Sequence, residues 1–438
     1  MSLRFGTDGV RAEALTQLTP AFARALGAAA SRALGGSEIA VGRDTRESGP
    51  ELQLAFAEGC ASEGVSVRDL GVVPTPAVAW ICAADNIAGA MLSASHNPWQ
   101  DNGIKLFSAG GRKLSDADQD VIQVDLDAAY EAGYPLTPVE PTVASGSIER
   151  YIDAVVASIG GRNFADSTVV LDSANGSAST TAKIIFERLG ANVVSLADQP
   201  DGRNINDGVG STHPEFLQAA VIEHGGDAGF AFDGDADRIA AVGSNGVVID
   251  GDRIIAMSAL DRRDRDALAG NTVVITVMTN LGFRRAMEAE AIDIVETGVG
   301  DRYVLEALDA GGFSLGGEQS GHVIHRDLAT TGDGVLTAVQ LFDAVQRRGV
   351  DMGEWGASVM TRFPQVLENV RMAEKIPDLK NKLANAIAAE EALLGSNGRV
   401  LIRESGTEPV VRVMVEAAEA DLAQASADRL VSAVSALG

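Results

Sequence analysis

Asp233, Asp235 and Asp237 stand at alternate positions of a 438-residue chain, with only Gly234 and Ala236 between them and Arg238 directly after. Alternation can turn three carboxylates to one side of an extended loop. Three like charges this close are unfavourable unless a cation neutralises them. Hard oxygen ligands suit Mg²⁺ and leave coordination room for a phosphoryl oxygen. A calcium-hand loop shares the alternating acids, but its sixth position calls for glycine and here holds Arg238. A solvated acidic turn would use the same residues.

Four other segments carry chemistry-bearing side chains. Met91-Leu92-Ser93-Ala94-Ser95-His96-Asn97-Pro98, followed by Asp101-Asn102-Gly103-Ile104-Lys105, exposes a serine beside a histidine and close to a lysine. Such a hydroxyl can carry a phosphoryl group covalently, or simply cap a turn punctuated by Asn97-Pro98. Gly316-Gly317-Glu318-Gln319-Ser320-Gly321-His322 places polar groups on a glycine-rich loop. If that loop is extended, Glu318 and Ser320 share one side and Gln319 faces the other. Arg403-Glu404-Ser405-Gly406-Thr407-Glu408-Pro409, with Arg412 beyond, offers hydroxyls, backbone amides and two guanidinium forks for a dianion. A β-turn with flanking surface arginines would read the same. Phe5-Gly6-Thr7-Asp8-Gly9-Val10-Arg11 lets the backbone approach another group closely, and Arg11 could reach a phosphorylated Ser95.

The elements that must position these loops alternate. Strands are expected at Ile39–Val41, Val169–Leu171, Ala228–Phe232 and Val273–Met278, and helices at Pro20–Leu34, Ser179–Leu189 and Gly334–Gln346. That alternation predicts an α/β architecture with largely parallel sheets. A strand running into a polar loop recurs at Val41–Asp44, Leu171–Gly176 and Met278–Asn280, which suggests three related α/β domains. The Pro/Thr/Ser-rich stretch from Gly133 to Ser147 is the expected first linker, with boundaries near Asp250–Asp252 and Phe363-Pro364. The resulting segments are 1–147, 148–250, 251–364 and 365–438. The last, with strands at Val366–Met372, Arg399–Ile402 and Val410–Glu416 and helices at Ile376–Leu393 and Ala418–Leu437, reads as a smaller α+β domain.

The formal net charge is −26, from 61 acidic and 35 basic side chains. Such a surface repels nucleic acid and anionic lipid. It also repels sugar phosphates, so a phosphosugar enzyme of this composition must concentrate its cations in a cleft. Cys60 and Cys82 have neither the number nor the spacing of a disulfide framework or zinc site. The N-terminus lacks a signal-peptide apolar stretch and no apolar run reaches membrane-span length, so a cytoplasmic location is expected.

Taken in order, the Ser93–Pro98, Asp233–Arg238, Glu318–His322 and Arg403–Pro409 segments resemble the four signature loops of the α-D-phosphohexomutases, over essentially the whole chain. Phe5–Arg11, Gly71–Ala77, Gly298–Val304, Gly317–His322 and Thr331–Gly334 are most similar to the amino-sugar branch of that family. Trp99-Gln100 and Leu106 depart from its usual pattern without removing a group the chemistry needs.

The resemblance implies three related α/β domains and a C-terminal domain around a central cleft. It implies an isomerase that interconverts glucosamine 6-phosphate and glucosamine 1-phosphate through phosphorylated Ser95 and a 1,6-bisphosphate. Asp233, Asp235 and Asp237, with phosphorylated Ser95, would hold one Mg²⁺ per subunit. His96, Lys105, Arg11 and Arg238 would lie at the transferring group, with Lys105 a candidate for proton transfer. Asp301, Arg302, Glu318, Ser320 and His322 would meet the sugar. Arg403, Ser405, Gly406, Thr407 and Arg412 would grip the non-reacting phosphate. A hexose 1,6-bisphosphate or a kinase would prime Ser95. The expected partner is a small phosphosugar, with neither nucleic acid nor membrane and with a homodimer left open. A phosphomannomutase or phosphoglucomutase would share the mechanism, a phosphatase would release the phosphate, and a non-catalytic phosphosugar-binding protein would share only the scaffold.

Overall fold

Three apolar runs, Ala88–Leu92, Ala228–Phe232 and Thr272–Thr276, are buried at every position in the computed structural model of this chain. It describes residues 3–6, 9–133, 138–139, 141–144, 146–374, 376, 378–404 and 410–437. Unbroken burial is what an inner strand of a parallel sheet covered on both faces requires.

Each run belongs to a sheet built on one plan. In the first sheet, Glu38–Arg43 lies between parallel Ser66–Val72 and Ala88–Leu92, and Ala88–Leu92 pairs antiparallel with Asp101–Ser108. In the second, Thr168–Asp172 lies between Asn192–Leu196 and Ala228–Phe232, and the latter returns as antiparallel Ile239–Gly243. In the third, Thr272–Thr276 lies between Asp293–Thr297 and Leu315–Gly317, which returns as antiparallel Val323–His325. The spatial order is fourth, third, first, second in all three. The recurrence in the sequence is therefore a recurrence of topology. The serine, aspartate and Glu318 motifs occupy the same place in each unit, the loop joining third strand to fourth.

Local chemistry sets the elements. Thr19 accepts the Phe22 N–H and Pro20 opens the helix Pro20–Leu34. That helix packs against Gly49–Ser62 at glycine contacts: a Cβ on Gly27 would stand 2.1 Å from the Phe56 carbonyl oxygen, and one on Gly59 2.0 Å from that of Arg24. Cys60 and Cys82 are free and buried, and burial pushes both thiols up to about 12.

Several boundaries move. The helix expected at Ser179–Leu189 starts later, at Ala182–Arg188, after a tight turn at Ser177–Thr180. The strand expected through Met278 ends at Thr276. Within the linker stretch, Thr142–Val143 pairs with Arg68 and Asp69, and a helix begins at Ser147. Residues 134–137, 140 and 145 lie outside the described residues. At the boundary expected near Asp250–Asp252, the Asp250 carboxylate caps the helix Gly251–Asp264 by accepting the Arg253 N–H. The helix Gly334–Arg348 packs back on the second sheet, where Phe342 meets Phe164 and Phe230 with ring centroids 4.9 and 6.2 Å apart.

The chain divides into two units, Met1–Met278 with Ile292–Val359, and Thr279–Ala291 with Met360–Gly438. In the second unit, Gln365–Arg371 and Gly398–Glu404 flank Val410–Ala417 in an antiparallel sheet. The helix Ala420–Ser435 packs on that sheet. The single helix expected over 376–393 is two, Leu379–Lys382 and Ala384–Leu394, broken at Leu383. Asn280 caps the helix Leu281–Ala289 and donates to Phe363 O and to buried Glu416. Those bonds explain why this helix belongs to the second unit. Among the described residues no helix is long and apolar enough to cross a membrane.

Candidate active site

Asp233, Asp235 and Asp237 do converge, with one ligand atom from each within 4.8 Å of the others. They do so in a tight turn rather than an extended loop. The Ala236 N–H closes it on Asp233 O at 3.0 Å, and Ala236 takes a positive φ of 57°. Gly234 is needed for a close approach: a Cβ there would meet the Ser95 carbonyl oxygen at 2.6 Å.

All three carboxylates are buried. Burial and the neighbouring Asp237 and Asp235 raise the Asp233 carboxyl to about 7. Burial also works against charge on Asp237, yet Lys105, His322 and Arg238 hold its carboxyl well below the usual range. Lys105, on the strand Asp101–Ser108, donates to Asp235 at 2.6 Å and to Asp237 at 3.2 Å. Thr75 donates its hydroxyl to Asp235 at 2.5 Å. Among the described residues, Asp235 Oδ1 and Asp237 Oδ1 are buried without a hydrogen-bond partner. Buried carboxylate oxygens left bare are costly, and three of these groups converging on hard-oxygen geometry suit Mg²⁺. The residues present therefore fit a divalent cation.

Ser95 is 1% exposed and lies directly over this turn. Its hydroxyl donates to Asp233 at 2.7 Å and stands 3.3 Å from His96 Nδ1. Its φ of 55° is a left-handed conformation that a serine adopts only when held there. His96 is pulled down to about 4, first by burial and then by Arg238 and Arg11, so its imidazole is neutral at pH 7.

Beside the triad opens a cavity of about 380 Å³, lined by Arg4, Arg11, Asp237, Arg238, Asp301, Glu318 and His322 among others. Its size fits a sugar phosphate, and its lining sets three arginines, Arg4, Arg11 and Arg238, against three carboxylates, Asp237, Asp301 and Glu318. Arg11 reaches it from the strand Val10–Glu13, paired opposite Gly103.

The Glu318–His322 loop departs from the expected alternation. It is a closed turn, with Gly321 N–H on Glu318 O at 3.0 Å and Glu318 N–H on His322 O at 2.9 Å. Ser320 is consequently exposed at its tip and does not line the cavity with Glu318. Glu318 Oε1 accepts the Gly300 N–H at 3.0 Å. Asp301 is engaged by Lys113 and stands 3.2 Å from His322 Nε2. His322 is buried; burial pulls its basicity down, but Asp301 and Asp237 outweigh it and the net shift is upward. Arg302 turns away to Asp116 at 2.7 Å, on the helix Asp116–Ala132.

In the second unit, Arg403 and Arg412 are direct cross-strand partners. Two guanidiniums opposed across a ladder repel unless an anion joins them. Ser405, Gly406 and Thr407 lie outside the described residues.

Sequence reasoning passed over the residues that hold this site from behind. Arg46 is 1% exposed and donates to the carbonyls of Ser95, Asn97, Pro98 and Asp101. Asn206, from the segment before the second sheet's third strand, donates to Ser95 O and Asn97 O at 2.9 and 3.1 Å. The only signal available was a pair of charges, Asp44 and Arg46, two residues apart just after a buried strand.

Four profiles of one family match in order: phosphoglucomutase/phosphomannomutase alpha/beta/alpha domains I, II and III over residues 2–132, 149–246 and 250–363, and the C-terminal domain over 367–433. The chain belongs to the phosphoglucomutase/phosphomannomutase family. Curated members of this family similar to it include phosphoglucosamine mutases. That of Thermobifida fusca (strain YX) is 51% identical, covering 99% of this chain and 98% of its own. That of Streptomyces coelicolor is 49% identical over the full length of both. Among solved structures, a phosphoglucomutase/phosphomannomutase family protein of Burkholderia thailandensis superposes with a TM-score of 0.82 at 25% identity, covering 98% and 97% of the two chains. An N-acetylphosphoglucosamine mutase of Aspergillus fumigatus, solved with GlcNAc-6P and magnesium, shares the fold, with a TM-score of 0.69 at 19% identity over 100% and 96%.

Proposed function

We propose that this enzyme interconverts glucosamine 6-phosphate and glucosamine 1-phosphate, carrying the phosphoryl group on Ser95. The observation that carries the reading is the Ser95 hydroxyl, held 2.7 Å from Asp233 in a buried cluster of three aspartates. Full-length relatives of about half identity named phosphoglucosamine mutase support the choice of sugar.

Asp233, Asp235 and Asp237, with a phosphoryl oxygen on Ser95, would hold Mg²⁺. Bound there, the ion neutralises negative charge during transfer. The remaining work belongs to this chain. The bond from Ser95 Oγ to phosphorus breaks as a sugar hydroxyl takes the phosphoryl group, giving the 1,6-bisphosphate. The intermediate turns over, and its other phosphate returns to Ser95. Arg11 and Arg238 line the cavity beside the triad and offset phosphate charge. Lys105 bridges two aspartates as an ammonium, so its first task is charge; it accepts a proton only after losing one. Neutral His96 faces Ser95 Oγ. Glu318 offers a carboxylate to sugar hydroxyls, with His322 and Asp301 beside it in the cavity lining and Ser320 at the loop tip. Arg403 and Arg412, with Ser405, Gly406 and Thr407, grip the phosphate that is not reacting, whichever end of the sugar it occupies.

The test is ³¹P and ¹H NMR on glucosamine 6-phosphate with Mg²⁺ and a trace of hexose 1,6-bisphosphate. Conversion to glucosamine 1-phosphate without net inorganic phosphate is expected. Release of inorganic phosphate would make the protein a phosphatase. Preference for glucose or mannose phosphate would move it to another branch of the family.

A further inference from the structure

The left-handed Ser95 has both of its own peptide groups tied into one circuit. Its N–H donates to Ser93 Oγ at 2.9 Å, and Ser93 in turn donates to Asp44 Oδ2 at 2.6 Å. The same Asp44 oxygen accepts Arg46 Nε at 2.9 Å, and Asp44 Oδ1 accepts the Arg46 N–H at 3.1 Å. The Ser95 carbonyl accepts from Arg46 Nη2 at 3.0 Å and from Asn206 at 2.9 Å. Arg46 Nη2 also reaches Asn97 O at 2.8 Å, while its Nη1 serves Pro98 O and Asp101 O.

All five N–H bonds of this guanidinium are thus spent, four on main-chain carbonyls of the serine loop and one on Asp44. Arginine alone has five donors in a planar fork; a lysine has three from one point. The pair has no exposed side-chain surface. It lies behind Ser95 and does not line the cavity. Asn206 repeats two of the contacts from a different α/β unit, and bare Gly234 leaves room for it: a Cβ there would stand 2.9 Å from Asn206 Nδ2.

We infer that Arg46, acting with Asp44, Ser93 and Asn206, is the positioning residue that fixes Ser95 in its left-handed conformation with its hydroxyl on Asp233, so that one oxygen can give and take back a phosphoryl group at the same point. The inference rests on the mutase reading, because only a carrier used twice per turnover must return to one place. Misplacement of a reacting atom by about 1 Å can cost on the order of a hundredfold.

Arg46→Lys keeps the charge and loses the fork; Ser93→Ala cuts the link to the Ser95 N–H; Asn206→Ala removes only the outer contact. With wild type as reference, each is followed by steady-state kinetics, melting temperature, and intact-mass time courses of Ser95 phosphorylation by hexose 1,6-bisphosphate. Expected are a fall in kcat of about a hundredfold for Arg46→Lys and about tenfold for Ser93→Ala, a smaller one for Asn206→Ala, and KM within about threefold throughout. The rate of Ser95 phosphorylation should fall in parallel. If Arg46→Lys does not fold, Ser93→Ala and Asn206→Ala carry the test. Folded variants with kcat and phosphorylation rate within twofold of wild type would overturn the inference, as would losses that appear in KM alone or only as a lower melting temperature. If wild type itself takes up no phosphoryl group, the mutase reading fails instead.

Discussion

The loop carrying Ser95 and the loop carrying Glu318 occupy the same position in two α/β domains of one topology, yet their tips are held differently. The serine loop is fastened from outside: Arg46, Asp44, Asn206 and Asp233 reach it from other segments, and its backbone is bent into a conformation serine does not choose. The Glu318 loop is tied from outside at its two ends, where the Gly300 N–H meets Glu318, the Ile239 N–H meets Gly321 O and the Gly332 N–H meets His322, while two backbone bonds close its own turn and Ser320 is left exposed at the tip. Group transfer needs one oxygen at one point. Recognition of a sugar that must present either end needs a surface that tolerates two poses. The two fastenings match those demands.

If the contrast is correct, damage at the transfer end should be severe and indifferent to the sugar. Asp235→Asn removes a charge from the triad while keeping its shape. Mg²⁺ affinity should weaken by at least about tenfold, with phosphoryl transfer falling more steeply. Calorimetry showing unchanged affinity, together with an unchanged rate, would remove the metal from the account.

Damage at the recognition end should be moderate. Glu318→Ala loses a charged acceptor and leaves the Gly300 N–H without its carboxylate, so kcat/KM should fall about 10- to 100-fold. The loss should be nearly equal on glucosamine and glucose phosphates, since hydroxyls common to both are what a carboxylate at this place reads. A loss confined to the amino sugar would make Glu318 the sensor of the 2-amino group. Ser320→Ala should cost less than Glu318→Ala, no more than about tenfold, because the hydroxyl lies outside the cavity lining. An effect equal to that of Glu318→Ala would mean the Ser320 tip closes on substrate and is not the freer of the two tips in the comparison.

The same contrast sorts what the sequence made legible. The aspartate turn, the serine and the arginine pair were readable because each concentrates one chemistry in a few adjacent positions. The α/β class was readable because buried parallel strands are unbroken apolar runs. The support behind Ser95 was not, because Arg46 acts on carbonyl oxygens, and every residue has one. Asn206 and Lys113 act between α/β domains within the first unit, and no spacing along the chain records that Lys113 meets Asp301. The alternation read for Glu318–Ser320 failed for a local reason: period-two logic holds for a strand, and Gly321, at φ 88°, closes a turn instead. The helix break at Leu383 was missed because Leu379, Leu383 and Leu394 all face the C-terminal core, so the apolar pattern runs on across it.

The central claim is that Ser95 is the covalent carrier. Wild-type protein and Ser95→Ala, incubated with Mg²⁺ and hexose 1,6-bisphosphate and then with glucosamine 6-phosphate, can be followed by intact mass spectrometry. The account predicts that wild type gains a single phosphoryl group at Ser95 and loses it to the sugar, while Ser95→Ala folds, gains none and has lost more than about a thousandfold in kcat. Phosphorylation of the Ser95→Ala protein, or turnover within tenfold of wild type, would contradict it.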